Sequence, residues 1–234
     1  MQPTGGGPAR LEQADSTPAE ARAAGGVPTT YTAELVTRRP ALGCLFEIVE
    51  TLVLTLIIFF VIQTFVAQPY QIRQQSMETT LLPDQYVLVD KLTPRFDTYK
   101  RGDIVVFMPP DGWARDDPPT PYIKRVIGIG GDTIEIRDGM ALVNGIELFE
   151  PYVFKEDDGT TQETEDPLQM EKWIVPEGEL FLMGDHRKMS ADSREFGPVE
   201  VDKVIGRAWL RYWPINTLSI LPTPDHPELQ SPTP

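Results

Sequence analysis

One apolar stretch constrains this sequence more than any other feature. No charged residue occurs between Glu50 and Arg73, and residues 51–67 are apolar almost all round a helix. A helix of roughly 20 apolar residues, rising about 1.5 Å per residue, spans the hydrocarbon core of a bilayer. A buried core helix of a soluble protein is the alternative, but the length of the stretch and its lack of a polar face argue against it. We therefore predict a single transmembrane helix at residues 43–68.

The same stretch has the features of an uncleaved anchor rather than of a signal peptide. About 50 residues precede it, which is too long for a usual n-region, and it exceeds the apolar region of about 7–15 residues found in signal peptides. The nearest cleavage point, after Ala67, would place the bulky Phe65 at position −3. Arg38 and Arg39 flank the N-terminal side, so the positive-inside rule predicts a cytoplasmic N-terminus.

The two ends of the chain have compositions that predict disorder. Residues 1–42 are dominated by small and polar residues, and residues 222–234 are rich in proline. Neither segment can bury enough apolar surface to offset the entropy of ordering. We expect a cytoplasmic, largely disordered segment at 1–42, a disordered tail at 222–234, and a solvated His226 within that tail.

Between the anchor and the tail, the pattern changes to short strands. Asp138-Gly139 and Asn144-Gly145 are hairpin signals between β-branched or aromatic runs. The strand patterns are residues 85–90, 102–107, 122–128, 132–137, 140–143, 180–183 and 204–213. We predict a mostly β protein, with a folded-over or barrel-like antiparallel catalytic domain at residues 69–221 and a loop-rich insertion at about 145–178.

Composition excludes several kinds of function. The 35 acidic and 21 basic residues give a net charge of −14, which argues against a nucleic-acid partner. Cys44 is the single cysteine, so neither an intramolecular disulfide nor a cysteine-based zinc site can form, and two histidines exclude multi-histidine metal sites. We expect no metal and no cofactor.

Three segments carry residues suited to catalysis. They are the turn around Ser76, the apolar strand pattern around Lys124, and the charged loop at residues 184–197. A serine is a weak nucleophile until a base removes its proton, and a lysine can serve when burial favours its neutral form. Alternation puts Lys124 on one strand face with Tyr122 and Val126, which would bury it. A lysine facing solvent on an edge strand is the open alternative.

Four blocks of this sequence resemble those of the bacterial type I signal peptidases, which are membrane-anchored serine–lysine endopeptidases. The resemblance runs from about Glu47 to about Pro214. The blocks, in chain order, read SMETTL from Ser76, RGDIVVF from Arg101, YIKRVIGIGGD from Tyr122 and GDHRKMSADSREFG from Gly184. One block would be weak support, but four in order behind an anchor helix are very specific.

The resemblance implies a role for individual residues of these blocks. Ser76 matches the nucleophile, Lys124 the general base, and Ser190 the serine that hydrogen-bonds and orients the lysine. Asp192 with Arg194, and Asp185 with Arg125, match supporting ion pairs. The oxyanion would be held by the Ser76 backbone N–H. The residues matching the family's substrate pockets are Ile72, Met77, Leu81, Val87, Tyr122 and Ile123.

The chain departs from the family pattern at several positions. Gln74 stands where a serine or glycine is usual, and its side-chain amide or main-chain N–H is a candidate second oxyanion donor. Thr79 replaces a proline, His186 replaces an asparagine, and Met189 also differs. His186 suggests a Ser–His mechanism like that of the eukaryotic relatives, but in those the histidine replaces the lysine, which is present here.

The resemblance implies an enzyme that removes signal peptides after small-x-small sequences at the outer face of the bacterial plasma membrane. Its partners would be exported preproteins and membrane lipid, with the secretion translocon nearby. Two alternatives stay open. A serine–lysine autoprotease like the SOS-response repressors would carry a DNA-binding domain, which the anchor and the net charge argue against. A non-enzymatic anchored module would usually lack Ser76 or Lys124.

Overall fold

The computed structural model describes residues 41–92, 94, 96–113, 118–170 and 172–230. The chain divides into two units, Met1–Phe46 and Glu47–Pro234. Of the first unit, the structure describes the start of one helix. The disorder predicted for residues 1–40 and 231–234 falls outside the described residues.

The apolar stretch forms helix α1 (Ala41–Val61), which continues as a π-helical segment, Ile62–Val66. From Leu45 to Val61, every leucine, isoleucine, valine and phenylalanine is exposed, so the helix has no side that packs into a protein core. The hydroxyls of Thr51 and Thr55 donate to carbonyl oxygens one turn earlier, at 2.8 and 2.7 Å. Among the described residues, Gly43–Val66 is the single helical stretch long and apolar enough to cross a membrane.

The rest of the described chain is mostly strand. The strands are β1 (Ala67–Gln71), β2 (Tyr86–Asp90), β3 (Ile104–Phe107), β4 (Tyr122–Ile129), β5 (Thr133–Arg137), β6 (Met140–Val143), β7 (Ile146–Glu147), β8 (Trp173–Ile174), β9 (Glu179–Met183), β10 (Val199–Glu200), β11 (Val204–Trp213) and β12 (Ser219–Ile220). A short helix, α2 (Ser193–Phe196), lies between β9 and β10.

Within the described residues, these strands form two antiparallel sheets. The larger has the order β1-β2-β11-β3-β4-β9-β10, with β12 also paired to β11, and the smaller has the order β7-β6-β5-β8. Shifts of register interrupt the pairing of β11 with β2 and of β4 with β9, and such bulges increase the local twist. The predicted mostly β, antiparallel fold behind one apolar helix is confirmed.

The connection from β1 to β2, residues 72–85, is fixed by apolar packing. Ile72, Met77 and Leu81 are buried against Val87 and Val89 of β2 in one core cluster. Fully burying one such side chain contributes about 1.5–3 kcal/mol. The packing of Met77 fixes the position of the neighbouring Ser76.

The described part of the C-terminal tail packs against the β domain instead of extending into solvent. Thr223 donates from its hydroxyl to Asp103 at 2.6 Å, and the Phe149 N–H donates to Glu228 at 3.1 Å. His226, expected to be solvated, is 7% exposed. Composition did not indicate these contacts because polar side chains, rather than a run of large apolar ones, hold the segment.

Candidate active site

Ser76 and Lys124 are in contact, although they lie 48 positions apart in the sequence. Ser76 lies in the connection between β1 and β2, and Lys124 is the third residue of β4. Lys124 Nζ is 2.6 Å from Ser76 Oγ, within hydrogen-bond distance. Lys124 is 1% exposed and Ser76 is 3% exposed, so solvent is largely excluded from this contact.

The strand environment of Lys124 controls its protonation. Tyr122 and Val126, on the same face of β4, are buried, and the lysine Nζ lies 5.8 Å from the centroid of the Tyr122 ring. Burial lowers the pKa of Lys124 from 10.5 to about 8, while the charges of Asp192 and Asp185 act to raise it. At that pKa, about a tenth of the lysine is neutral at pH 7.

In the described structure, the Ser190 hydroxyl is hydrogen-bonded to Asp192 and not to Lys124, which is the partner that the resemblance implied. The hydroxyl donates to Asp192 Oδ2 at 2.6 Å. Among the described residues, no hydrogen bond joins Ser190 to Lys124. A hydroxyl that donates to one partner can still accept from another, so the orientation of Lys124 by Ser190 stays a prediction.

Asp192 pairs with Arg194 at the start of α2. Arg194 Nε and Nη2 donate to the two oxygens of Asp192 at 2.8 and 2.9 Å, and the Gly184 N–H donates to Asp192 at 3.0 Å. Burial acts to raise the pKa of Asp192, but the Arg194 guanidinium and these hydrogen bonds hold that pKa below its ordinary value. Asp192 therefore stays ionised and fixes the loop that follows β9.

A second buried ion pair joins β4 to the same loop. Arg125 donates from Nε and Nη2 to Asp185 at 2.8 and 2.7 Å, and both side chains are at most 2% exposed. Thr80, four residues after Ser76, donates to Asp185 Oδ2 at 2.5 Å. Arg125 also donates to the Gly102 carbonyl at 2.7 Å. The pair thus connects the strand that carries Lys124 with the turn that carries Ser76.

Gly184 allows the loop to approach the nucleophile turn closely. A Cβ atom at this position would overlap the Ser76 carbonyl oxygen and the Ser190 side chain. Any larger residue would therefore push the turn and the loop apart. This close approach explains why a glycine precedes Asp185.

The main chain of Ser76 presents one free donor. Its carbonyl oxygen accepts from the His186 N–H at 3.0 Å. Among the described residues, no hydrogen bond uses the Ser76 N–H. Gln74, two residues earlier, is exposed and lines the cavities on both sides of the turn.

Two cavities lie next to the nucleophile turn. One, of about 470 Å³, contains Ser76 and Lys124, and is closed on the loop side by Met189 and Ala191. The other, of about 360 Å³, runs between residues 69–74 and residues 120–123. Both include Arg73 and Tyr122, so the two adjoin and form one groove, with the nucleophile in the first cavity.

The structure brings only part of the expected pocket set to this groove. Ile72, Tyr122 and Ile123 line the second cavity. Met77, Leu81 and Val87 are fully buried in the core cluster below and line neither cavity. The reason is that the turn packs its apolar side chains down onto β2 and leaves mostly polar atoms toward the groove.

A buried lysine amine in contact with a serine hydroxyl, an unused backbone N–H and an open groove can together cleave an acyl bond. The model of the family described as "Signal peptidase, peptidase S26" matches residues 45–213. This chain belongs to that family. The family cleaves signal peptides from preproteins, so this chain is a peptidase.

Two relatives agree in sequence with the family assignment. A signal peptidase I from Leptolyngbya laminosa is 35% identical over 182 residues, which cover 77% of this chain and 85% of the relative. Signal peptidase IB from Staphylococcus aureus strain Mu50 is 32% identical over 181 residues, covering 74% of this chain and 91% of the relative. A crystal structure of a signal peptidase I from Enterococcus faecalis V583 is 33% identical, covers 47% of this chain and 97% of that one, and superposes with a TM-score of 0.37.

The structure adds residues to this peptidase site that sequence reasoning missed. Arg187 donates two hydrogen bonds to the Glu150 carboxylate, at 3.0 and 2.5 Å. The guanidinium carbon of Arg125 lies 3.9 Å from the centroid of the Tyr152 ring. Phe154 stacks on His186. Glu150, Tyr152 and Phe154 belong to the predicted insertion. Arg187 could have been found, because it follows Asp185 and His186 in the fourth block.

Proposed function

We propose that this signal peptidase family member cleaves exported preproteins by a serine–lysine mechanism at the outer face of the bacterial plasma membrane. The observation that carries the proposal is the 2.6 Å contact between Ser76 Oγ and the buried Lys124 Nζ. Ser76 is the nucleophile and neutral Lys124 is the general base. No cofactor takes part.

The first half of the reaction forms an acyl-enzyme. Lys124 Nζ takes the Ser76 proton as Oγ attacks the scissile carbonyl carbon. The free Ser76 N–H, with Gln74 as a candidate second donor, stabilises the oxyanion that develops. When the intermediate collapses, the C–N bond breaks and the Lys124 ammonium returns its proton to the leaving amine.

The second half releases the signal peptide. A water molecule loses a proton to the neutral Lys124 and attacks the ester carbonyl carbon. The ester C–O bond then breaks, and Ser76 Oγ takes the proton back from the lysine. Asp192 with Arg194, Asp185 with Arg125, and Ser190 support the site by holding the surrounding loop and strand.

The groove gives the substrate a place to bind as an extended strand. Tyr122 and Ile123 pair with β3 on one side, whereas β9 pairs with β4 only from Arg125 onward. The other edge of β4 is therefore open beside the second cavity in the described structure. A preprotein segment can add to such an edge through main-chain hydrogen bonds, with alternate side chains facing the enzyme.

The anchor explains where the reaction takes place. Ser76 lies only ten positions after Val66, the end of the apolar helical stretch. With the N-terminus in the cytoplasm, the site lies outside the membrane and close to the lipid surface. Signal peptides that leave the translocon reach the same surface, so membrane lipid and the translocon are its neighbours.

We expect cleavage to require small residues at positions −1 and −3. Ile72, Tyr122 and Ile123 are bulky, so the pockets beside Ser76 are shallow. Forcing a larger side chain into a filled site costs about 1–3 kcal/mol. A preprotein with Leu or Phe at −1 should lose roughly tenfold or more in kcat/KM relative to Ala.

The measurement is turnover of purified preproteins by the full chain in detergent, with sequencing of the new N-terminus. The Ser76→Ala variant is the control, and it should give no product with any of these preproteins. Equal rates for Ala and Phe at −1, or cleavage by Ser76→Ala, would contradict the proposed function.

A further inference from the structure

The turn that carries the nucleophile contains a strained residue. Thr79 has a φ of 88°, in the region that β-branched residues rarely adopt. Such a conformation costs on the order of 1–3 kcal/mol and persists only where neighbouring groups hold it in place. The groups that hold Thr79 therefore also hold Ser76, three residues earlier.

The residues on either side of Thr79 bind two consecutive residues of the loop after β9. Thr80 donates to Asp185, as described above, and Glu78 Oε2 lies 3.1 Å from His186 Nδ1. An ionised carboxylate only accepts hydrogen bonds, so Nδ1 carries the proton and donates. His186 also donates its main-chain N–H to the Ser76 carbonyl at 3.0 Å.

The His186 ring is itself fixed by the insertion. It stacks on Phe154 with ring centroids 4.0 Å apart and an angle of 4° between the planes. The side chains of His186 and Glu78 are 12% and 18% exposed, so little water competes for their hydrogen bond. In the described structure the ring makes no hydrogen bond to Ser76 Oγ or to Lys124, which separates it from the proton transfer.

We propose that Glu78 and His186 are positioning residues, and we call their contact the Glu78–His186 clamp. The clamp holds the strained turn so that Ser76 Oγ stays against Lys124 Nζ. This inference rests on the proposed function, because it concerns the same nucleophile. It predicts an effect on the chemical step rather than on substrate binding, since neither clamp residue lines the groove cavities.

Two substitutions break the clamp with little other change. His186→Phe keeps a ring to stack on Phe154 but lacks Nδ1, and Glu78→Leu removes the acceptor. Because displacements of about 1 Å can cost on the order of 100-fold in rate, we expect each to lower kcat about tenfold, with KM within about twofold. The double variant should be no slower than either single variant, because both remove one interaction.

Two further variants complete the comparison. Glu78→Gln keeps an acceptor oxygen for Nδ1 and should stay within about threefold of wild-type kcat. Lys188→Gln is the matched control, since Lys188 lies in the same loop but forms an exposed ion pair with Glu156. It should match wild type, because exposed ion pairs contribute little.

The experiment measures kcat, KM and the melting temperature of the full chain in detergent, with a preprotein as substrate. The proposal predicts three results. They are a tenfold loss in kcat for each single variant, no further loss in the double variant, and a kcat for Glu78→Gln close to that of wild type. Losses that multiply, losses confined to KM, or lower melting temperatures with wild-type kcat would overturn it. Failure of the proposed function would appear differently, as cleavage that does not depend on Ser76.

Discussion

Replacing Lys124 by methionine should abolish cleavage and, at the same time, make the folded protein more stable at neutral pH. Methionine has a similar length and keeps the packing with Tyr122 and Val126, but it cannot take the proton from Ser76. General-base catalysis contributes about 10²–10⁴-fold, so we expect kcat/KM to fall by at least about 10²-fold.

The gain in stability follows from the pKa of Lys124. Burial lowers this pKa from 10.5 to about 8. Below pH 8 the folded protein contains a buried ammonium that the unfolded chain keeps solvated, which disfavours folding by about 3 kcal/mol. As the pH rises from about 8 to 10.5, the folded protein releases this proton first, and the penalty disappears. The methionine variant should therefore melt higher than wild type at pH 7, and by a smaller margin at pH 10.

Cleavage of a preprotein and thermal melts in detergent at both pH values measure the two effects together. Ser76→Ala serves as the control, since it should be equally inactive while Lys124 remains buried. Activity of Lys124→Met within tenfold of wild type would refute the role of the base. A lower melting temperature at pH 7 would refute the burial penalty.

Removing the carboxylate of Asp185 should have the largest effect on stability. Asp185→Ala leaves the Arg125 guanidinium buried without its charge partner, and it removes the acceptor of the Thr80 hydroxyl. Breaking a buried ion pair on one side costs about 3–5 kcal/mol. For a domain of this size, that lowers the melting temperature by about 10 °C. Activity should fall with it, because the ion pair joins β4 to the nucleophile turn.

Thermal unfolding of the full chain in detergent, followed by circular dichroism, tests this expectation. Asp97→Ala is the matched control, because it breaks an ion pair with Lys100 in which both side chains are largely exposed. The melting temperature of that variant should stay close to the wild-type value. A shift for Asp185→Ala no larger than that of Asp97→Ala would show that the buried pair does not hold the site together.

Most of the fold could be predicted because each long strand is a run of β-branched and aromatic residues bounded by turn residues. The strand pattern at residues 204–213 coincides with β11, and the two Asx-Gly turns lie between β5, β6 and β7. β1 was missed because it directly follows the apolar helix and contains Pro69, which weakens a strand pattern. The two-residue strands β7, β8, β10 and β12 depend on pairing partners far away in the sequence, which periodicity does not indicate.

The site residues that could be predicted are those whose role is indicated by the short sequence block that contains them. Ser76, Lys124 and the Arg194–Asp192 pair are of this kind, and the structure brings them together. Glu150 and Phe154 could not be predicted, because their partners lie more than 30 residues away and become neighbours only on folding. The hydrogen bond from Ser190 to Asp192 depends on the conformation of the loop after β9, which a sequence pattern does not decide.

The central claim is that neutral Lys124 activates Ser76, and the pH dependence of wild-type kcat/KM tests it most directly. A base must be deprotonated to act, so the rate should rise with pH through the pKa of Lys124, reaching half of its maximum near pH 8. The full chain in detergent should be assayed with one preprotein from about pH 5.5 to 9.5, with the melting temperature followed at each pH. A rise centred near 8 is the result that the lysine mechanism predicts. A rise centred near 6.5, the ordinary pKa of an imidazole, would contradict it.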